Sequence, residues 1–370
     1  MTTEDLFGKA GAQYAKNLPF VLYRKPEADQ LNGLFQEDDF LHKAETFEET
    51  GFVFSPFDKE RTRILIPGIP ELTIDFEEET VSVKSTTIKT ESAEENAHIN
   101  LVEKAVAAIQ NSALQKVVIS RKQNQKIEDV TPITIFKRLL SNYKTAFVYI
   151  WHHPHVGTWL GATPETLLSL NGRKFETMAL AGTQKFTGSL AVAWGDKEIH
   201  EQQLVTDEIV TNLKPFDLGS LHVGNRETYQ AGALLHLRTL ISGTFNTEGQ
   251  NLKALLKALH PTPAVCGLPR DLAKDFIIKE ENYDRAFYTG FLGELNILKD
   301  TSKKRSRRNV ENLAYKTLKN ETKLFVNLRC MQYADSKAII YVGGGITAAS
   351  NPELEWQETV NKAQTIASVL

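Results

Sequence analysis

Glu355, Glu358 and Lys362 fall at i, i+3 and i+7, so a helix would put two carboxylates and an ammonium on one face. Beside a glycine turn such a set can hold a divalent cation and an anionic ligand together. It also reads as a solvated helix face with one Glu–Lys pair. The surrounding segment, YVGGGITAASNPELEWQETVNKA (residues 341–363), reads as strand, glycine turn and helix. Gly343, Gly344 and Gly345 permit positive φ and a close approach of backbone to ligand. Ser350 and Asn351 are N-cap residues, and Pro352 suits a first helical turn.

Other polar residues stand at the ends of apolar runs. In KVVISR alternation puts Lys116, Val118 and Ser120 on one face and Val117, Ile119 and Arg121 on the other. A lysine opening such a strand ordinarily snorkels to solvent. Glu165 lies just past a turn at Thr163-Pro164, and Gly182 and Thr183 end the strand ETMALAGTQ, where free amides can hold an anion. The helix DKEIHEQQLVTDEIVTNL turns Leu204, Val205, Ile209 and Leu213 inward, and Glu201 extends that face with a carboxylate, as a metal ligand or an exposed side chain. LLHLRTLISG is a strand carrying His236, and a turn before the next strand carries Arg285 and Tyr288. Arg329 sits in the strand LFVNLRCMQ, where its apolar neighbours call for a carboxylate partner. His152, His153 and His155 lack Cys or carboxylate support and read as exposed histidines of a turn.

These residues need a large frame. At 370 residues, 41% hydrophobic and 24% charged, the chain suits two domains or one large unit of an ordinary globular protein. A net charge of -3 gives no basic field, so nucleic acid is not an expected partner. No apolar run spans a membrane and no signal peptide is evident, and Cys266 and Cys330 suit a reducing cytoplasm as inert core residues. Short apolar runs from Pro19 to Lys89, VSVKSTTIK among them, predict a β-rich scaffold, and Ile99, Val102, Val106 and Ile109 predict a helix over residues 94–111. KDTSKKRSRRN reads as a solvated cationic loop.

Taken in order, KVVISR, GATPETLL, ALAGT, HEQQLV, LHPTPAVCGLPR, DRAFYTG, FVNLRC and the GGGI and ASNPELEWQETVNK segments resemble the chorismate-utilising enzymes, within them most nearly the isochorismate-forming branch. The likeness runs from Glu94 to the C-terminus. It implies an α+β fold with large antiparallel sheets stacked around a buried active site and helices outside. Residues 1–93 would form its β-rich N-terminal part and 94–370 the chorismate-binding catalytic region. By resemblance, Lys116 is the base that activates water, as the neutral amine, and Glu165 the acid for the leaving hydroxyl. Glu201 and Glu358 match Mg²⁺ ligands, and Glu355 a carboxylate that helps hold the ion through water. Ala181, Gly182 and Thr183 match the site of the ring carboxylate. Tyr288, Arg329, Gly345 and Lys362 match that of the enolpyruvyl carboxylate, and His236 lies near the ring.

Amine-transferring relatives typically have glutamine where Lys116 stands, and one group has a catalytic lysine where Ala181 stands. Both positions here favour water as nucleophile, so no glutamine amidotransferase subunit is expected. Salicylate synthases share both features and are the alternative; a chorismate-binding protein without turnover is a third reading. The resemblance leaves monomer and homodimer open, and menaquinone and siderophore pathways alike. Three features depart from relatives: Gln202 after Glu201, Glu294 where Trp is common, and a long segment from Lys299 to Thr322.

Overall fold

The computed structural model describes residues 2–76, 88, 90–127, 130–232, 234–300 and 318–370. Most of VSVKSTTIK and the cationic run 303–308 lie outside them. Two sheets of nine strands form the frame. The first runs β14 (Gly267–Leu268), β6 (Lys116–Lys126), β18 (Lys337–Ile346), β17 (Cys330–Ala334), β8 (Gly157–Thr163), β7 (Phe147–His153), β1 (Phe20–Arg24), β2 (Gln30–Phe35), β5 (Leu72–Asp75). The second runs β11 (Leu218–Val223), β13 (Leu234–Phe245), β10 (Lys174–Lys185), β9 (Thr166–Asn171), β16 (Leu318–Val326), β15 (Phe291–Asp300), β3 (Gly51–Ser55), β4 (Ile64–Pro67), with β12 (Glu227–Ala231) also on β13. Every one of these pairings is antiparallel. The N-terminal strands divide between the sheets: β1, β2 and β5 extend the first, β3 and β4 the second.

The sheets face each other across an aromatic core. Phe147 of β7 stacks on Phe325 of β16 with centroids 4.1 Å apart, and Phe54 of β3 stacks on Phe287 at 4.3 Å. Such ring pairs add about 1 kcal/mol each beyond the area they bury. Helices α1 (Thr3–Ala15), α3 (Pro132–Asn142) and the end of α7 (Pro352–Ala367) cover the outside of the first sheet. Helices α4 (Asp196–Leu213) and α5 (Leu252–Leu259) cover the second. Helices α2 (Ser92–Asn111) and α6 (Arg270–Glu280) pack on the outer face of β6, against Val117 and Ile119. The stacked α+β architecture expected above is the one found.

Three local readings change. His152 and His153 are buried in β7, with His152 Nδ1 2.8 Å from Thr158 Oγ1, because the apolar run continues through them; only His155 is exposed. LFVNLRCMQ is not one strand: β16 ends at Val326 in the second sheet and β17 starts at Cys330 in the first. Asn327 holds the crossing, accepting from Tyr149 Oη at 2.6 Å and donating to the Phe287 carbonyl at 2.8 Å. Helix α1 escaped the sequence reading, although Thr2 and Asp5 form a capping box and Leu6, Phe7 and Ala10 share its buried face.

Candidate active site

The site begins on β6. Lys116 is fully buried, and its Nζ lies 2.8 Å from Glu201 Oε1 on α4. It does not snorkel, because alternation turns it inward from a strand paired on both sides, with β14 and β18. Gly343, Gly344 and Gly345 form no turn. They lie in β18 opposite Ser120, Ile119 and Val118, outside the positive-φ region. What they supply is room: a Cβ on Gly345 would stand 2.3 Å from Glu201 Oε1 and 3.0 Å from Lys116 Cε. The turn comes after the strand, where Ser350 Oγ accepts from the Thr347 amide and Asn351 caps α7.

Glu165 and Arg329 both sit where the chain changes sheets. β8 ends at Thr163 in the first sheet and β9 starts at Thr166 in the second, so Pro164 and Glu165 bridge them. The two crossings brace each other: the Val326 amide donates to the Glu165 carbonyl at 3.0 Å and Thr163 Oγ1 to the Val326 carbonyl at 2.6 Å. Burial pushes the Glu165 carboxyl up to about 8, against the Thr262 hydroxyl and the Lys116 charge. Arg329, at φ 46, donates to the Ala231 carbonyl at 2.8 Å and meets His236 Nε2; the carboxylate partner expected for it is replaced by these. Burial lowers its guanidinium to about 10.

Gly182 and Thr183 do not end a strand. β10 continues to Lys185, and a register shift between Ala181 and Gln184 lifts them from the ladder, with Gly182 at φ +70. The Gly182 carbonyl is 2.7 Å from His236 Nδ1. Burial, then the Arg329 charge, hold His236 well below its ordinary value, so it is neutral with Nδ1–H donating and Nε2 toward Arg329. Tyr288 completes this wall: its hydroxyl is 3.0 Å from where a Gly343 Cβ would stand, and burial pushes its phenol up.

Helix α7 closes the site with paired charges. Glu358 lies 2.7 Å from Lys362, whose Nζ also donates to the Gly343 carbonyl at 2.9 Å, and Glu355 lies 2.5 Å from Lys197 on α4. Burial raises the Glu355 carboxyl; Glu358, although burial raises it too, is held down by Lys362 and the Thr183 hydroxyl. One cavity is lined by Glu165, Ala181, Gly182, Thr183, Glu201, His236, Tyr288, Arg329, Gly345, Glu358 and Lys362, with Lys116 behind Gly345 and Glu355 beside Gly344. Every residue expected above to do chemistry, bind substrate or hold the ion therefore lines or adjoins this cavity, whereas Arg285 does not and pairs with Glu281.

Lys197 and Glu198 line the cavity as well and were missed. Their signal was spacing: Glu198 precedes Glu201 by three residues, on the same face of α4. Lys116, Lys197, Lys362 and Arg329 thus face Glu198, Glu201, Glu355 and Glu358. Gln202, a departure from relatives, points away and bonds Thr206 and Thr239. Among the described residues no three His, Cys, Asp or Glu side chains already stand grouped as a metal shell. The donors nevertheless fit Mg²⁺: they are carboxylate oxygens only, and the missing Cβ of Gly345 makes the space that Glu201 occupies.

Residues 65–301 match a family described as chorismate binding enzyme, and residues 313–368 match a second family of that description. The chain belongs to the chorismate-binding enzymes. Isochorismate synthase DhbC of Bacillus subtilis (strain 168) is 27% identical over 334 residues, covering 84% of this chain and 78% of that protein. The salicylate biosynthesis isochorismate synthase of Pseudomonas aeruginosa is 29% identical over 278 residues, covering 73% of this chain and 53% of that protein. The structure of MenF, the menaquinone-specific isochorismate synthase of Escherichia coli, superposes with a TM-score of 0.73 at 22% identity, over 95% of this chain and 88% of that one. The family inferred from the motifs is the family found. Among the described residues of this chorismate-binding enzyme no helix is long and apolar enough to cross a membrane.

Proposed function

We propose that this chorismate-binding enzyme is an isochorismate synthase, an isomerase that adds water at C2 of chorismate and expels the C4 hydroxyl. The observation that carries this reading is a buried amine and a buried acid at one cavity: Lys116 against Glu201, and Glu165 with its proton held up to about 8. The similarity to named isochorismate synthases supports it, as does Ala181 where one group of amine-transferring relatives would have lysine.

The steps balance. Lys116, once it has given up its own proton, takes one from the water that attacks C2. The two ring double bonds each move one bond along, and the C4 hydroxyl leaves as water with the Glu165 proton. One water enters and one departs. The Gly182 and Thr183 amides receive the ring carboxylate, and Arg329, Tyr288, Gly345 and Lys362 receive the enolpyruvyl carboxylate. Neutral His236 keeps Gly182 in place beneath the ring. Glu201 and Glu358 would hold Mg²⁺, with Glu355 helping through water, and the bound ion would neutralise the ring carboxylate. Water as nucleophile requires no amidotransferase subunit, and a cytoplasmic setting supplies the chorismate. The product serves menaquinone or a catechol siderophore according to the enzymes that consume it.

The test is a product assay with purified protein, chorismate and Mg²⁺, without ammonia, resolved by chromatography. Isochorismate as the accumulating product is expected. Salicylate with pyruvate would transfer the chain to the salicylate synthases, and intact chorismate would leave it a binding protein.

A further inference from the structure

Strand β6 carries charge on both faces. Lys116 lies on the cavity side, behind Gly345; Arg121 leaves on the other side, beneath α7, and is 8% exposed. Its Nε donates to Thr359 Oγ1 at 2.8 Å and its Nη1 to Gln123 Oε1 at 2.7 Å. Its guanidinium lies over the Trp356 ring, 4.3 Å from the centroid. The Thr359 hydroxyl in turn donates to the Trp356 carbonyl at 2.8 Å, so both helix residues are gripped at one point. Each follows a site carboxylate in sequence: Trp356 comes after Glu355, and Thr359 after Glu358.

That offset matters because successive helix residues stand about 100° apart at 3.6 per turn. Holding residues 356 and 359 against β6 fixes the direction in which 355 and 358 leave the helix. At a side-chain radius of about 5 Å, a helix rotation of about 20° moves a carboxylate by about 2 Å. Metal–oxygen distances tolerate about 0.2 Å. The Asn351 cap and the apolar contacts of Ala363, Ile366 and Ala367 secure the ends of α7, and the His98 ring beside Trp356 and the Lys362 bond to the Gly343 carbonyl add to its hold. The grip at Arg121 lies level with the carboxylates.

We infer that Arg121 is a positioning residue: it sets the rotation of α7 and thereby aims Glu355 and Glu358 at Glu201 for a divalent cation. The inference rests on the metal reading proposed above. Mg²⁺ binding to the free protein, titrated calorimetrically without chorismate, tests it. Arg121→Met and Thr359→Val are each expected to weaken Mg²⁺ binding about tenfold, while Thr359→Ser, which keeps the hydroxyl, stays within about twofold. Should Arg121→Met fail to fold, the Thr359 pair decides. Wild-type binding that Glu358→Gln abolishes but Arg121→Met and Thr359→Val leave within about twofold would overturn the inference alone. No Mg²⁺ binding by the wild-type protein would overturn the metal reading and the inference with it.

Discussion

Two clusters of lysines and carboxylates, one at the cavity and one away from it, differ in what they leave open. At the cavity, Lys116 meets Glu201, Lys197 meets Glu355 and Lys362 meets Glu358. Elsewhere, Glu294 of β15 accepts from Tyr23 at 2.6 Å and from Lys25 at 2.6 Å, while Lys299 reaches both Glu294 and Glu321. Burial lowers the Lys25 ammonium to about 8 and raises the Tyr23 phenol, so this second cluster also carries perturbed groups. The difference is space and saturation. Both Glu294 oxygens are taken, and none of its partners lines the cavity. At the cavity, Gly345 clears room beside Glu201, and the Glu165 carboxyl keeps its proton with a 3.4 Å contact to the Thr262 hydroxyl. Perturbed titration marks both places; open room beside a buried acid and amine marks one.

Breaking the amine should have the largest effect. Lys116→Ala is expected to cut kcat by about 10⁴-fold while chorismate still binds, measured by product chromatography and a parallel binding titration. Near-wild-type turnover would remove Lys116 from the chemistry. Glu165→Gln should cost at least about 10²-fold and leave a signature in pH. With the acid protonated up to about 8, wild-type kcat falls as pH rises through that value, and the variant loses this limb. Stability follows the same proton. The folded state keeps it while the unfolded chain releases it near 4.5, so Glu165 makes stability fall as pH climbs from there toward about 8. Glu165→Gln should flatten that slope in denaturant titrations; an unchanged slope would place the shift on another group.

The second cluster should answer in the opposite currency. Glu294→Gln strands Lys25, while Lys299 keeps Glu321, and is expected to cost about 3 kcal/mol of folding free energy. Its kcat in the folded fraction should stay near wild type. A selective loss of kcat without loss of stability would show that the two clusters communicate.

How much of this was legible depended on distance along the chain. β6, the Thr163–Glu165 turn, α4 and α7 were readable because their signals are local: β-branched alternation, a proline beside a strand end, apolar spacing and an Asn–Pro cap. Glu294 stands out in the sequence where Trp is common in relatives, but it belongs to the structural cluster, since its partners Tyr23 and Lys25 come from about 270 residues away. The crossing at Asn327 was hidden for the same reason, and His152 of β7, besides lying in an apolar run, is covered by Tyr14 and Phe20 from far back in the chain. Composition marked Gly343, Gly344 and Gly345 as special but misplaced the cause, which is crowding from α4 and β6 and not backbone curvature.

Those glycines give the finest test of the contrast between room and pairing. A methyl on Gly345 would meet Glu201 Oε1 at 2.3 Å, a contact that must displace the carboxylate or the strand. Gly345→Ala is therefore expected to raise the Mg²⁺ concentration needed for half-maximal rate by about tenfold, because Glu201 must swing aside. One residue earlier, a methyl on Gly344 meets only Glu355 Oε2, at 3.5 Å, an ordinary contact. Neither position needs positive φ, so alanine strains neither backbone. Gly344→Ala should thus stay within about twofold of wild type in both rate and Mg²⁺ response. Equal losses at the two positions would mean that the strand tolerates no side chain there at all, and the room at Gly345 would lose its link to Glu201.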